Sequence, residues 1–200
     1  YHFLQPLAAL DHPIGSKRLE EMVLPHHQIV IITSDITRPM PTARVLPHLM
    51  ERLFAAGVPA EHVTVVFALG SHRPHTEAEK RKLVGSYYDT LRCVDSGAQG
   101  FTLLGRTKAG TPVDIDSIVA QADIRICLGN IEYHYFAGYS GGAKAIMPGV
   151  STREAIQANH RMMVEEKAAV GILDENPVRQ DLEEAIQFCP IHFLLNVVLD

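Results

Sequence analysis

Four short runs of continuously apolar residues stand out along the chain. A strand with one solvent-facing side alternates polar and apolar residues, whereas a strand buried on both faces is apolar throughout, as in parallel sheets. The four runs therefore predict four buried strands, at residues 28–34, 63–69, 123–128 and 191–199.

Helical patterns lie between these runs. Apolar residues with the spacing of one helix face precede Gly57, a residue type that commonly ends a helix. Thr76 with Glu79, and Ser151 with Glu154, have the spacing of a capping box, so each pair should begin a helix. The apolar face before Gly57 consists of Leu46, Leu49, Met50, Leu53 and Phe54.

The remaining elements complete the predicted fold class. Asn176 followed by Pro177 is typical of an N-cap and a first helical residue. Residues 101–115, with two glycines and a proline, interrupt the alternation and indicate a hairpin. Strands that alternate with helices imply right-handed crossovers. The predicted class is α/β: a mostly parallel, Rossmann-like sheet with flanking helices and a small hairpin excursion.

Composition narrows the class of protein further. The 200 residues are 46% hydrophobic and 20% charged, which predicts one folded α/β domain over residues 1–200. The net charge of −5 disfavours nucleic acid as a partner. No apolar run reaches the roughly 18 residues of a membrane span, so we expect no membrane partner. Three separated cysteines fit a reduced compartment, and we expect a cytoplasmic protein.

Three polar segments follow predicted strands, where α/β sheets bind ligands. Residues 35–39 present a carboxylate, a hydroxyl and a guanidinium, and residues 70–75 and 129–144 contain histidines. Taken singly, Asp35 could cap a helix and His72 could be solvated. Because all three segments occupy equivalent topological positions, we expect their polar groups to share one crevice.

The glycine-rich stretch 138–144 indicates an anion cradle. It is not a Walker A loop, because Ala143 and Ala145 flank the lysine where that motif has glycine and serine or threonine. The small residues would let backbone N–H groups approach an anion closely. Lys144 could then act as a counter-charge or as a nucleophilic amine. The small residues concerned are Ser140, Gly141 and Gly142.

His160 lies on the helix predicted to begin at Ser151. It could be a surface histidine or a lone metal ligand, since no second ligand stands three or four residues away on the functional side. Any metal there would need other ligands, such as those of a cofactor. His75 and the other histidines are assigned to surface or packing roles, namely His2, His12, His26, His27, His48, His62 and His192.

The ordered motifs resemble the nickel-dependent lactate racemase family. The likeness extends from about Ile29 to His160, and its glycine-rich block is highly specific. The matching motifs are Asp35-x-Thr37-Arg38-Pro39, Gly70-x-His72-Arg73, His134-x-x-Ala137-Gly138-x-Ser140-Gly141-Gly142-Ala143-Lys144 and Asn159-His160.

This resemblance implies a nickel-pincer cofactor, a pyridinium-3,5-bisthiocarboxylic acid mononucleotide whose sulfur-containing arms hold nickel. In the family it can be joined to the lysine that corresponds to Lys144, and a histidine corresponding to His160 ligates the nickel. The resemblance also implies cofactor maturation proteins as partners. It assigns cofactor or substrate contacts to Asp35, Thr37 and Arg38, and the anion cradle predicted above adds Ser140, Gly141 and Gly142 as cofactor-binding residues.

The implied reaction is racemisation or epimerisation of a small 2-hydroxy acid. In the family one histidine removes the hydroxyl proton while hydride moves to the cofactor, and hydride return to the other face inverts the centre. His72 and His134 correspond to the acid/base pair, and we expect two bases of similar pKa near neutrality. Arg38 suits a carboxylate. Tyr133 and Tyr139 depart from the common proline and phenylalanine, so the substrate can differ from lactate.

Three expectations remain open at this point. Family members carry a second, C-terminal domain, and the chain begins with Tyr1 rather than Met. We therefore expect the N-terminal cofactor-binding domain alone, without turnover by itself. One alternative is a non-catalytic module that binds a pyridine mononucleotide. Another is a histidine-based, metal-dependent hydrolase.

Overall fold

The computed structural model describes residues 5–199, with side chains from residue 8 onward. His2, assigned above to a surface or packing role, lies outside the described residues. The helices are α1 (Gln5–Asp11), α2 (Thr42–Ala55), α3 (Glu77–Val84), α4 (Ser117–Gln121), α5 (Arg153–His160) and α6 (Pro177–Phe188). The strands are β1 (Ile29–Ser34), β2 (Val63–Ala68), β3 (Arg92–Asp95), β4 (Phe101–Arg106), β5 (Pro112–Asp116), β6 (Ile124–Asn130), β7 (Tyr133–His134), β8 (Gly138–Tyr139) and β9 (Phe193–Val197).

Five strands form a parallel sheet in the order β3-β2-β1-β6-β9. The four predicted strands are confirmed as β1, β2, β6 and β9. Prediction missed β3, a short edge strand whose residues are mostly half-buried or exposed. Because the chain order reverses between β1 and β6, a crevice opens beyond their carboxyl ends.

Apolar side chains cover both faces of this sheet. Alternate residues of β1 point to opposite faces, with Ile29 and Ile31 in one core and Val30 and Ile32 in the other. The first core includes α2, whose residues Leu46, Leu49, Met50 and Leu53 are fully buried. The second core contains residues of the hairpin β4–β5, α5 and α6. The continuous apolar strands thus reflect burial on both sides.

The predicted helix ends and starts are confirmed with one correction. Gly57 follows α2 with φ +81°, and Thr76 and Asn176 cap α3 and α6. The predicted start at Ser151 is wrong by one residue, since Thr152 accepts a hydrogen bond from the Ala155 N–H and caps α5. The Ser151 hydroxyl instead donates to the Ile146 carbonyl at 2.9 Å.

The expected hairpin excursion is confirmed as the antiparallel pair β4–β5. A second hairpin follows β6: the strands β7 and β8, of two residues each, pair in an antiparallel manner. Across residues 5–199 we find no helix with both the length and the apolar character needed to span a bilayer.

Candidate active site

One crevice of about 180 Å³ lies beyond the carboxyl ends of β1, β2 and β6. The three polar segments converge there, because parallel strands direct their following loops to the same edge of the sheet. Thr37 does not line the crevice directly, but its hydroxyl donates to Oδ1 of Asp35 at 2.8 Å. The other predicted residues all line it: Asp35, Arg38, His72, His134, Ser140, Gly141, Gly142, Lys144 and His160.

His72 is held by the carboxylate of Asp35. Nδ1 of His72 lies 2.5 Å from Oδ2 of Asp35, whose side chain is 4% exposed. The side chain of His72 is 47% exposed, so the ring joins a buried carboxylate to the open crevice. A proton shared with Asp35 occupies Nδ1, which leaves Nε2 as the nitrogen able to accept a proton.

His134 has a different environment. Its Nδ1 accepts a hydrogen bond from the Ala137 N–H at 3.2 Å, so the neutral ring carries its proton on Nε2. Burial, with the charges of Lys144, Arg38 and His160, lowers the pKa of His134 to about 4. The expectation of two bases that titrate near neutrality is therefore wrong for His134, because burial disfavours its charged form. The two imidazoles also differ in partner and in tautomer: His72 offers an acceptor and His134 a donor.

Phe136 connects His134 with the proposed metal ligand. Its ring packs edge-on against His134, with centroids 4.6 Å apart, and against His160, with centroids 4.8 Å apart. An aromatic ring between two imidazoles limits the rotation of both. Sequence analysis missed this role, since an aromatic beside a histidine is a common packing pattern.

Lys144 lies on the 3₁₀ turn Gly142–Ala145 at the floor of the crevice. Burial and the charges of Arg38 and Arg179 lower its pKa to about 7, while Glu132 opposes the shift. A large fraction of this amine is therefore neutral near pH 7, and a neutral amine is nucleophilic. A nucleophilic role for Lys144 stays a prediction, which its lowered pKa supports.

Glu132 balances the cationic side of the crevice, and sequence analysis did not assign it a role. Its Oε1 lies 3.2 Å from Nη1 of Arg38 and accepts a hydrogen bond of 3.5 Å from the Ser140 hydroxyl. Both side chains of the ion pair are more than a third exposed, so the pair is weak. Arg38 can therefore exchange Glu132 for another carboxylate.

The glycines beside Lys144 permit a backbone that other residues would block. Gly141 has φ +77° and Gly142 φ +60°. A Cβ on Gly141 would lie 3.0 Å from Oδ1 of Asn196, and one on Gly142 would lie 2.9 Å from Nη2 of Arg179. The positive φ therefore favours glycine at both positions, and a side chain at either would displace the Asn196 amide or the Arg179 guanidinium.

His160 ends α5 and lines the crevice. Its Nδ1 is buried without a hydrogen bond of normal geometry. Burial, followed by the charge of Lys144, lowers the pKa of His160, while the Ile156 carbonyl one turn earlier opposes the shift. A half-buried neutral imidazole is a competent metal ligand.

Asn196 is a second polar group that sequence analysis missed. It lies on β9 and lines the crevice, and its Oδ1 is buried without a hydrogen-bond partner within residues 8–199. The signal for this residue was an amide inside an otherwise apolar run near the carboxyl end of a strand. Orphaned polar atoms in a crevice wall are typical of ligand contacts.

These features fit a cofactor that brings its own metal ligands. Among the described residues, no three His, Cys, Asp or Glu side chains are grouped so that they could hold a metal ion. The imidazole of His160, a glycine cradle and the Lys144 amine nevertheless surround the same crevice. The protein can thus contribute a single ligand, His160, to a metal held mainly by an organic group.

The chain is similar to known proteins in both sequence and structure. The sequence model of a protein family, the lactate racemase N-terminal domain, matches residues 7–171. Lactate racemases of Lactiplantibacillus plantarum and Thermoanaerobacterium thermosaccharolyticum are each 36% identical to the chain over 96% of its length. The chain spans only 46% of either relative.

Solved structures confirm the fold. The lactate racemase apoprotein from T. thermosaccharolyticum superposes with a TM-score of 0.91 at 33% identity, over 98% of this chain and 48% of that one. A protein from Thermotoga maritima shares the fold, with a TM-score of 0.78 at 20% identity over 98% of this chain and 50% of its own. With its motifs, its sheet order and its family match in agreement, the chain belongs to the lactate racemase N-terminal domain family.

Proposed function

We propose that residues 1–200 form the cofactor-binding N-terminal domain of a racemase or epimerase that acts on a small 2-hydroxy acid. One observation carries the proposal: two imidazoles of different tautomer, a guanidinium and an amine with lowered pKa line a single crevice. Inverting a carbon bearing a hydroxyl and a carboxylate requires proton transfer and carboxylate binding at one place.

The cofactor we propose is the nickel-pincer pyridinium mononucleotide. Lys144 would attach it, His160 would ligate its nickel, and the backbone at Gly141 and Gly142 would hold its anionic part. When bound, this group would supply a reversible hydride acceptor. The half-buried imidazole of His160 in the crevice wall, the orphaned oxygen of Asn196 and the glycine cradle support this assignment.

The chain's own residues would hold the substrate and move its protons. Nε2 of His72 would take the hydroxyl proton, because Asp35 holds the proton on Nδ1 and stabilises the resulting cation. His134 would donate a hydrogen bond through its Nε2–H to an oxygen of the substrate. To remove the hydroxyl proton of the opposite enantiomer, His134 would need a free Nε2. Its ring proton would then lie on Nδ1, and the hydrogen bond from the Ala137 N–H would have to break.

Arg38 would bind the substrate carboxylate. Guanidinium binds carboxylate through two parallel hydrogen bonds, and the weak, exposed pair with Glu132 leaves it available. Thr37 supports this loop through Asp35. Arg38 would thereby place the substrate carbon between the two imidazoles.

The partners of the domain are also proposals. The curated relatives are about twice as long as this chain, which supports a second, C-terminal domain as the part that completes the crevice. Cofactor maturation proteins would load the group. The expected cytoplasmic location rests on the three cysteines, all of which are free.

The test uses the full-length protein, produced together with its maturation system. Intact-mass spectrometry should show an adduct on Lys144, and elemental analysis should show about one nickel per chain. H72A and H134A should each lose racemase activity while keeping adduct and nickel.

Three results would change the assignment. Protein with neither nickel nor adduct would refute the cofactor. Loaded protein that shows no turnover, with a cofactor content unchanged in both histidine variants, would favour a non-catalytic mononucleotide-binding module. Metal uptake by the apoprotein without an organic group, together with hydrolase activity, would favour the metal-dependent hydrolase.

A further inference from the structure

His75 lies three residues after His72, which lines the crevice, but the side chain of His75 is buried. Its side chain is 1% exposed and packs edge-on against Phe67 of β2, with ring centroids 5.2 Å apart. Loop histidines are usually solvated, so this burial needs a physical reason. Its hydrogen bonds provide that reason.

Both ring nitrogens of His75 are paired. Nδ1 lies 2.6 Å from Oδ1 of Asp95, and Nε2 accepts a hydrogen bond of 3.0 Å from the Ile36 N–H. A backbone N–H can only donate, so Nε2 must be unprotonated and the ring proton must lie on Nδ1, facing Asp95. The two contacts together select one tautomer.

Asp95 is fixed in turn by charge and by backbone. Nζ of Lys80, on α3, lies 2.8 Å from Oδ2 of Asp95, and the His75 N–H donates to the same oxygen at 3.2 Å. Asp95 is the last residue of β3, the edge strand of the sheet. The imidazole therefore connects a rigid, ion-paired carboxylate to the backbone at Ile36.

Ile36 directly follows Asp35, the residue that holds His72. The Asp35 side chain and the Ile36 N–H belong to adjacent residues, so fixing the second restricts the first. His72 and His75 lie three residues apart on the loop after β2, and each binds the loop after β1. Two parallel contacts thus join these loops, one exposed to the crevice and one buried.

We propose that His75 is a positioning residue for the acid/base pair, acting through the Ile36 N–H to set the Asp35 carboxylate against His72. This inference rests on the proposed function for its kinetic consequence. Its structural consequence, the geometry of the Asp35–His72 contact, does not depend on that function.

The test compares two variants that each keep half of the imidazole's hydrogen bonding. In H75Q the side-chain amide reaches the position of Nε2 and can still accept from Ile36. In H75N the shorter amide reaches the position of Nδ1 and can donate to Asp95, but the Ile36 N–H loses its acceptor. If His75 only packed, H75Q and H75N would lose similar amounts of kcat. The smaller Asn would then lower stability more than Gln, without a further loss of kcat.

In the loaded full-length enzyme, H75N should lower kcat at least about ten-fold while KM changes less than about two-fold, since small displacements of a reacting group have large effects. H75Q should lose less than about three-fold. Equal kcat in H75N and H75Q, or a change confined to KM, would overturn the proposal.

A spectroscopic measurement separates this proposal from the proposed function. The short His72–Asp35 contact should give a downfield imidazole proton resonance in the apoprotein, and this signal should weaken or move in H75N but persist in H75Q. Should none of the proteins racemise a 2-hydroxy acid while the signals behave as stated, the function is wrong and the positioning role stands. An unchanged signal in H75N refutes the positioning role.

D95N provides a second variant if H75N does not fold. It keeps the volume of the carboxylate, but it removes the charge that holds the ring proton on Nδ1 and that pairs with Lys80. An amide has one acceptor oxygen, whereas the carboxylate accepts at both, from the ring at Oδ1 and from Lys80 and the His75 N–H at Oδ2, so D95N leaves one side without its acceptor and the imidazole is no longer held against the Ile36 N–H. We expect the same loss of kcat and the same change in the His72 resonance, and wild-type behaviour of D95N would contradict the proposal.

Discussion

Nδ1 of His72 lies 2.5 Å from the carboxylate of Asp35, although the two residues are 37 positions apart in the chain. The carboxylate is buried and also accepts the Thr37 hydroxyl, so it is fixed on two sides. An imidazole held in this way has one defined tautomer and one free nitrogen. The contact gives the crevice its best-defined proton acceptor.

Replacing Asp35 with asparagine should therefore impair the base. An amide retains the shape but lacks the negative charge that stabilises protonated His72. We expect D35N to lower kcat of the loaded full-length enzyme roughly a hundred-fold, the low end of the range for acid/base groups. T37V, which removes only the hydroxyl contact to Asp35, is the matched control and should lose much less. Turnover in D35N within about two-fold of wild type would contradict the role.

The buried amine of Lys144 should make stability depend on pH. Burial and two arginines lower its pKa to about 7, whereas an unfolded lysine titrates near about 10.4. Between these values the unfolded chain binds more protons, so this site destabilises the fold fully below pH 7 and progressively less up to about pH 10.

K144M should consequently raise the Tm of the apoprotein, and the gain should be larger at pH 6 than at pH 10. K108M, at an exposed position, is the control and should change Tm equally at both pH values. A gain from K144M that does not shrink between pH 6 and pH 10 would show that the amine is not destabilised by burial.

The titration of His134 should respond to the same lysine. Burial lowers its pKa to about 4, and the charge of Lys144 is the next cause. The His134 ring should therefore stay neutral between pH 5 and pH 8 in NMR spectra of the ¹⁵N-histidine-labelled apoprotein. In K144M its pKa should rise toward the ordinary value near 6.5. A pKa near 6.5 in wild type would refute this environment.

The glycine cradle can be tested by comparing two glycines with a similar, positive φ. Gly141 has φ +77° and Gly110 has φ +85°, so alanine is strained at either position. A Cβ on Gly141 also meets Asn196 at 3.0 Å, whereas nothing lies within 4 Å of one on Gly110. G141A should lower Tm more than G110A.

The same pair should differ in cofactor content. G141A fills the floor of the crevice beside Lys144, so nickel and mass adduct in the full-length protein should both fall, while G110A should retain them. Equal Tm losses and equal loading in the two variants would show that the close approach at Gly141 has no role.

Local sequence patterns were sufficient for much of the fold. Continuous apolar runs predicted β1, β2, β6 and β9, because a strand buried on both faces excludes polar residues. Gly57 and the Thr76 and Asn176 caps marked helix ends, because these positions depend on one residue's backbone or side chain. The strand β3 was missed, since a half-exposed edge strand lacks that signal.

The site residues likewise include some that the sequence predicted and some that only the structure shows. The strand-end segments and the glycine-rich block identified eight residues that line one crevice, because the carboxyl ends of parallel strands meet at one edge. The Asn159-His160 motif added a ninth, His160. Side-chain partners could not be predicted, since each depends on residues far apart in the chain. Glu132 was passed over as loop polarity and Asn196 as part of a strand.

What the sequence determined alone was four of the five strands of the parallel sheet, the order of the motifs and the chemical types available. Only the tertiary structure decided which ring nitrogen of each histidine carries the proton. Asp35 against His72, the Ala137 N–H against His134 and Asp95 against His75 fix three tautomers. A tautomer follows from the donor or acceptor placed within about 3 Å of each nitrogen, and only the folded chain brings those groups together.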